Sequence, residues 1–127
     1  MTEKHTFATA LNCIDGRVQK PVTEWIKNRF NADFVDTITE PGIDKIISHG
    51  DRDFVNELKR FVGISVKAHG SKVIVVVGHY GCAADPVLKE EHFEQIRGSV
   101  EKVKSWGYEA TVVGLWINRQ WQVEVVC

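Results

Sequence analysis

The sequence has little of what extracellular, membrane-spanning or nucleic-acid-binding proteins require. It contains only three cysteines among 127 residues, an odd number that does not suit a disulfide scaffold. Its longest apolar runs, such as residues 73–77, have the length of a strand and are too short to cross a bilayer. The 16 Lys and Arg are balanced by 17 Asp and Glu, so no basic surface indicates a nucleic-acid partner.

The start of the chain also lacks the basic segment and the apolar segment that together mark a secretory signal. We therefore expect a cytoplasmic location with reduced cysteines. Hydrophobic residues make up 43% of the chain, which is enough for a core. At this length we expect a single domain over residues 1–127.

Strand patterns and helix patterns alternate along the chain. Helices are predicted at residues 23–30 and 53–67, and a third runs from an N-cap at Asp85 and a first helical residue at Pro86 to Gly107. Its buried stripe is predicted to contain Leu88, Phe93, Ile96, Val100 and Val103. Strands are predicted at residues 6–13, 33–39, 72–77, 111–117 and 121–126, the last two forming a hairpin.

This order predicts an α/β fold with a mostly parallel sheet and helices on both faces. Right-handed crossovers favour the spatial order 2-1-3-4, followed by an antiparallel fifth strand. The first and third strands are then neighbours. In such sheets ligands bind beyond the carboxyl ends of the strands where the winding direction reverses.

Two short segments fall at that edge of the predicted sheet. Cys13, Asp15 and Arg17 follow the first strand, whereas His79 and Cys82 follow the third. Two thiolates and one imidazole supply three corners of a zinc tetrahedron, with water or a carboxylate at the fourth. Taken singly, each cysteine is more typical of a small side chain buried in the core. An Asp–Arg pair taken singly is more typical of a salt bridge within a loop. Their joint occurrence favours a metal site, with Arg17 holding Asp15 in a bidentate ion pair.

The remaining polar residues are weaker candidates. Tyr80 either lines the cleft or packs, and Cys127 is expected to be an exposed thiol without a role. A phosphatase-like Cys13 nucleophile is disfavoured, because only three residues separate it from Arg17. Four histidines are expected to face solvent, namely His5, His49, His69 and His92, with proton transfer as the alternative role for His49 or His92.

The residues CIDGR and VVVGHYGCAA resemble the motifs of the β-class carbonic anhydrases, of which this chain is a short, divergent representative. The resemblance implies zinc ligands at Cys13, His79 and Cys82, with Asp15 and Arg17 as the catalytic pair. It also implies reversible hydration of carbon dioxide to bicarbonate by a zinc-bound hydroxide. A homodimer or higher homo-oligomer is expected, because the family completes its cleft between subunits. The only other partner implied is the substrate, CO₂ or bicarbonate.

The sequence also departs from the family. Residues 39–43 (TEPGI) replace a motif of the R-x-A-G-N kind, and few residues precede the first strand where relatives carry a helical arm. One alternative is therefore a zinc-binding protein of the same fold without turnover. Another is a related hydrolase that acts on carbonyl sulfide or carbon disulfide.

If the chain hydrates carbon dioxide, its rate should rise with pH above neutrality. Two thiolates already neutralise the charge of Zn²⁺, so the metal acidifies water less than it does in a three-histidine site. Stopped-flow CO₂ hydration between about pH 6.5 and 9 measures this dependence. A flat rate over that range contradicts it.

Overall fold

The computed structural model describes residues 5–127 and contains one five-stranded sheet in the order β2-β1-β3-β4-β5. The strands are β1 Phe7–Asn12, β2 Phe34–Thr39, β3 Val73–His79, β4 Thr111–Ile117 and β5 Val123–Val125. The first four strands are parallel to one another, and β5 is antiparallel to β4. The predicted fold class and strand order are confirmed.

Four α-helices cover both faces of the sheet. They are α1 Gln19–Phe30, α2 Ile43–His49, α3 Arg52–Ala68 and α4 Lys89–Ser105, with a 3-10 turn at Gly16–Val18 before α1. The core on one face includes residues of α1, and the core on the other includes residues of α2, α3 and α4. Within residues 5–127, none of the helices combines the length and the apolar character needed to traverse a bilayer.

The central strand β3 is buried along its whole length. Val73, Val75 and Val77 belong to the core beside α1, whereas Ile74 and Val76 belong to the opposite core. A parallel strand with helices on both faces has no solvent-exposed side. This explains why the run is β-branched at every position from 73 to 77 rather than alternating with polar residues.

The first two helices differ from the predictions made from the sequence. Helix α1 begins at Gln19, before Pro21, and not after it. A proline in the first helical turn is compatible with this, because the amide it lacks would have no partner within the helix. The seven-residue helix α2 was not predicted at all. It follows the predicted turn at Pro41 and Gly42 and is too short to show a helical period clearly.

The prediction that Asp85 caps α4 and that Pro86 begins it is wrong. The helix begins at Lys89 after Leu88, which is 77% exposed and therefore lies outside the predicted buried stripe. The Asp85 side chain is buried and contacts His92 instead. It is therefore not the cap of this helix, although the Asp-Pro pair is a common start signal.

Candidate metal centre

The parallel pairing of β1 and β3 brings the two predicted motifs together. In this parallel pairing Thr9 lies beside Ile74, so both strands end at the same edge of the sheet. Cys13 comes directly after β1, His79 is the last residue of β3, and Cys82 lies in the loop that follows. One ligand atom from each of these three residues lies within 4.8 Å of the others. All three side chains are buried, with no more than 4% of any residue exposed.

The His79 ring is oriented for a metal ligand. Its Nδ1 donates a hydrogen bond to the Tyr80 carbonyl at 2.8 Å, which fixes the tautomer with a lone pair on Nε2. That Nε2 is buried and has no hydrogen-bond partner, unlike every other buried side-chain nitrogen or oxygen of the described residues. A backbone carbonyl on one ring nitrogen and a metal on the other is the usual arrangement of a ligating histidine.

The surroundings of the two sulfurs favour negative charge. Each thiol receives hydrogen bonds from two backbone amides, those of Gly42 and Asp15 at Cys13 and those of Ala84 and Asp85 at Cys82. The Cys82 thiol also donates to Cys13, which lowers the pKa of Cys13 to about 3 and raises the pKa of Cys82. This hydrogen bond and the backbone amides favour the thiolate at Cys13, and a divalent cation would displace the proton that the two sulfurs share.

These donors fit a zinc ion. Zinc binds thiolate sulfur and imidazole nitrogen, and catalytic zinc sites use three protein ligands with a fourth position left open. Two sulfurs and one unpartnered imidazole nitrogen are one of the donor sets that such sites use.

Asp15 and Arg17 form the predicted ion pair beside this cluster. Arg17 donates to both carboxylate oxygens of Asp15, from Nε at 3.0 Å and from a terminal nitrogen at 2.7 Å. Its guanidinium also donates to the Gly81 carbonyl at 3.3 Å and lies 4.6 Å from the ring centre of Trp121. The hydrogen bonds from Arg17 lower the pKa of Asp15 to about 2, although partial burial opposes the shift. Asp15 therefore stays ionised and turned toward Arg17.

The sequence did not identify Gly42 as part of the site. Its backbone is left-handed, with φ of 63°, and a side chain would lie 3.3 Å from Cβ of Asp85. The Pro-Gly pair predicted a turn, but only the fold shows that the glycine amide reaches the Cys13 sulfur. Glycine is thus required both by backbone conformation and by close packing.

Most of the other polar candidates are exposed, and one of them is buried. His5, His49, His69 and Cys127 are exposed, as expected, and Tyr80 is 44% exposed next to a candidate ligand. The prediction that His92 faces solvent is wrong, because only 2% of this residue is exposed. It lies on the inner side of α4, four residues before the buried Ile96, and it was assigned to solvent because it has no ligand-like spacing to the two motifs.

Comparison with known proteins agrees with this geometry. A protein family described as "Putative carbonic anhydrase" matches residues 3–127. No curated protein sequence is significantly similar to the chain.

Several solved structures share the fold. β-Carbonic anhydrase isoform I of Trichomonas vaginalis has a TM-score of 0.59 and 16% identity, over 99% of this chain and 87% of that one. A tetrameric β-carbonic anhydrase of Sordaria macrospora has a TM-score of 0.60 and 12% identity, over 97% and 81%. A carbon disulfide hydrolase in its apo form has a TM-score of 0.52 and 12% identity, over 95% and 79%.

Replacing Cys82 with serine should remove the metal. Loss of one thiolate leaves an incomplete donor set, and metal binding is coupled to folding. A ligand present at 100 times its Kd contributes about 2.7 kcal/mol, so the melting temperature should fall by roughly 10 °C. Elemental analysis and thermal unfolding of protein purified in reductant measure both effects.

The matched control is Cys127→Ser, which removes the exposed third thiol. It should keep the metal content and the melting temperature of the wild type. Undiminished zinc in Cys82→Ser would contradict the ligand assignment.

Proposed function

The chain belongs to the putative carbonic anhydrase family, and from this premise we propose that it catalyses the reversible hydration of carbon dioxide to bicarbonate. The proposed zinc ligands are Cys13, His79 and Cys82. The observation that carries the proposal is the convergence of these three buried donors beside an ionised carboxylate. A structural zinc site needs only the residues that bind the metal. The Asp15–Arg17 pair beside the ligands therefore favours a catalytic site.

Zinc bound at this site would lower the pKa of a water molecule and make hydroxide available near neutral pH. Asp15 would accept a hydrogen bond from the attacking oxygen and thereby direct the lone pair of that oxygen toward the carbon of the substrate. Arg17 holds Asp15 in place through both carboxylate oxygens. Because the pKa of Asp15 is about 2, this acceptor remains ionised throughout the neutral range.

Carbon disulfide is the second candidate substrate. The fold of a carbon disulfide hydrolase is similar to that of this chain. Carbon disulfide and carbon dioxide are both linear molecules with an electrophilic central carbon, so the same residues would serve either reaction. Rates measured with both substrates on one zinc-loaded preparation distinguish the two activities.

Replacing Asp15 with asparagine should separate catalysis from metal binding. The amide has no charge to pair with Arg17 and presents a donor where only an acceptor is useful. We expect kcat to fall by about 10- to 100-fold while zinc content stays unchanged. Stopped-flow hydration together with elemental analysis measures both quantities.

Asp53→Asn, on the exposed first turn of α3, is the control and should leave the rate unchanged. If Asp15→Asn matched the wild-type rate, the catalytic role of Asp15 would be wrong. A zinc-loaded wild type with no turnover of either substrate would favour the non-catalytic alternative.

We also propose that the chain works as a homodimer or a larger homo-oligomer. Ile14 is 58% exposed between Cys13 and Asp15, and Tyr80 is 44% exposed directly after His79. The edge strand β5 presents Val125, which is 60% exposed. Exposed apolar side chains next to candidate ligands, as at Ile14 and Tyr80, are typical of a surface that another protein covers. A second copy of the chain would cover them and narrow the site.

Light scattering should therefore give at least twice the chain mass of 14.4 kDa. Ile14→Asp places a charge on the proposed interface and should shift the protein toward monomer. Ile64→Asp is the matched control, because Ile64 is 50% exposed on α3 and should tolerate the charge. A monomeric wild type would rule the assembly out.

A further inference from the structure

The loop between β4 and β5 contacts both motifs of the candidate metal centre. The guanidinium carbon of Arg17 lies 4.6 Å from the ring centre of Trp121. On the other side of the loop, the guanidinium carbon of Arg119 lies 5.9 Å from the ring centre of Tyr80. The Tyr80 amide also donates to the carbonyl of Ile117, the last residue of β4, at 2.9 Å. The loop is therefore fixed to the segment that follows β3 and packs against the Arg17 side chain.

Trp121 has an unusual backbone conformation for a large residue. Its φ of 62° is left-handed, and among residues 5–127 Asn31 is the other non-glycine residue with a positive φ. The Trp121 amide donates to the Asn118 carbonyl at 2.9 Å, so residues 118–121 form a β-turn. The left-handed position that follows such a hairpin turn usually holds glycine. A bulky side chain is disfavoured there, and outliers of this kind concentrate at functional sites.

The Asn118 side chain holds the loop in this conformation. Its Oδ1 accepts hydrogen bonds from the backbone amides of Gln120 and Gln122, at 2.9 and 3.0 Å. Its Nδ2 donates to Oε2 of Glu124 on β5, at 2.9 Å. The half-buried indole of Trp121 also packs against the core beside α1. The backbone on both sides of Trp121 is thus fixed without help from Arg17, and the indole is a firm surface for the guanidinium.

Arg17 benefits from this surface because 54% of its side chain is exposed. Its hydrogen bonds to Asp15 and to the Gly81 carbonyl all use N–H groups in the plane of the guanidinium. Ion pairs at exposed positions are weak, since long side chains lose freedom and water screens the charges. The indole adds a cation–π attraction that uses none of these N–H groups. It therefore supplies a restraint that the hydrogen bonds do not.

We propose that Trp121 is a positioning residue for the reaction: its indole holds the Arg17 guanidinium, which in turn holds the Asp15 carboxylate toward the attacking oxygen. The inference rests on the proposed function, because Trp121 acts through Arg17 and not on the substrate. Without the indole, Arg17 would move more freely and Asp15 would sample orientations that do not serve the reaction. The loss should therefore lower kcat and leave KM and the zinc content unchanged.

NMR tests the contact without any turnover. Protons that face an aromatic ring are shielded, so the Arg17 Nε–H signal of ¹⁵N-labelled, zinc-loaded protein should move downfield when the ring is removed. Arg17→Lys identifies this signal by its disappearance. Trp121→Gly removes the ring and should keep the turn, because glycine adopts the left-handed conformation freely. Trp121→Phe retains a smaller ring and should move the signal only part of the way.

The matched control is Trp25→Gly, because Trp25 is also half-buried against the same core but contacts the ring of Phe30. It should leave the Arg17 signal in place. In stopped-flow CO₂ hydration, Trp121→Gly should lower kcat by about 10-fold, as loss of a residue that supports a metal site commonly does. Trp121→Phe should restore most of the rate, and Trp25→Gly should match the wild type.

The two measurements separate the failures. An Arg17 signal that stays in place in both Trp121 variants would overturn the proposal, as would a wild-type kcat in Trp121→Gly or an equal loss of rate in Trp25→Gly. If Trp121→Gly does not fold, the partial shift in Trp121→Phe decides. A zinc-loaded wild type without turnover would overturn the proposed function instead, and the NMR signal would still decide whether Trp121 holds Arg17.

Discussion

The side-by-side parallel pairing of β1 and β3 is the constraint on which the rest of the site depends. Parallel neighbours end at the same edge of a sheet, so the residues after each strand meet although they are far apart in the chain. Burial of β3 on both faces fixes its register, because a shift by one residue would exchange its two core faces. The position of His79 relative to Cys13 therefore follows from the packing of the whole sheet.

Backbone amides connect the two clusters of titratable side chains. The amide of Asp85 donates to the Cys82 sulfur, while the Asp85 carboxylate belongs to the cluster with His92. Similarly, Gly42 donates to Cys13, and Asp44 two residues later faces His92. The same two loops thus build both clusters.

The parts predicted well from the sequence rest on strong local patterns. The β-branched run of β3 and the apolar period of α3 each agree with the element that forms. Failures occurred where a local signal competed with a tertiary contact. Asp85 and Pro86 look like a helix start, but the Asp85 carboxylate contacts His92 and the helix begins at Lys89. His92 itself was assigned to solvent, because a polar residue on a helix carries no mark of a buried partner.

The sequence by itself determined the alternation of strands and helices, the parallel sheet and the identity of the three candidate zinc ligands. It could do so because the spacing of apolar residues and the chemistry of each side chain can be read directly from the order of the residues. Only the tertiary structure decided that four amides point at the two sulfurs and that Arg17 takes both oxygens of Asp15. It alone also brought Asp44 to His92 inside the core. These contacts join loops from different strands, and their distances depend on how the elements pack in three dimensions.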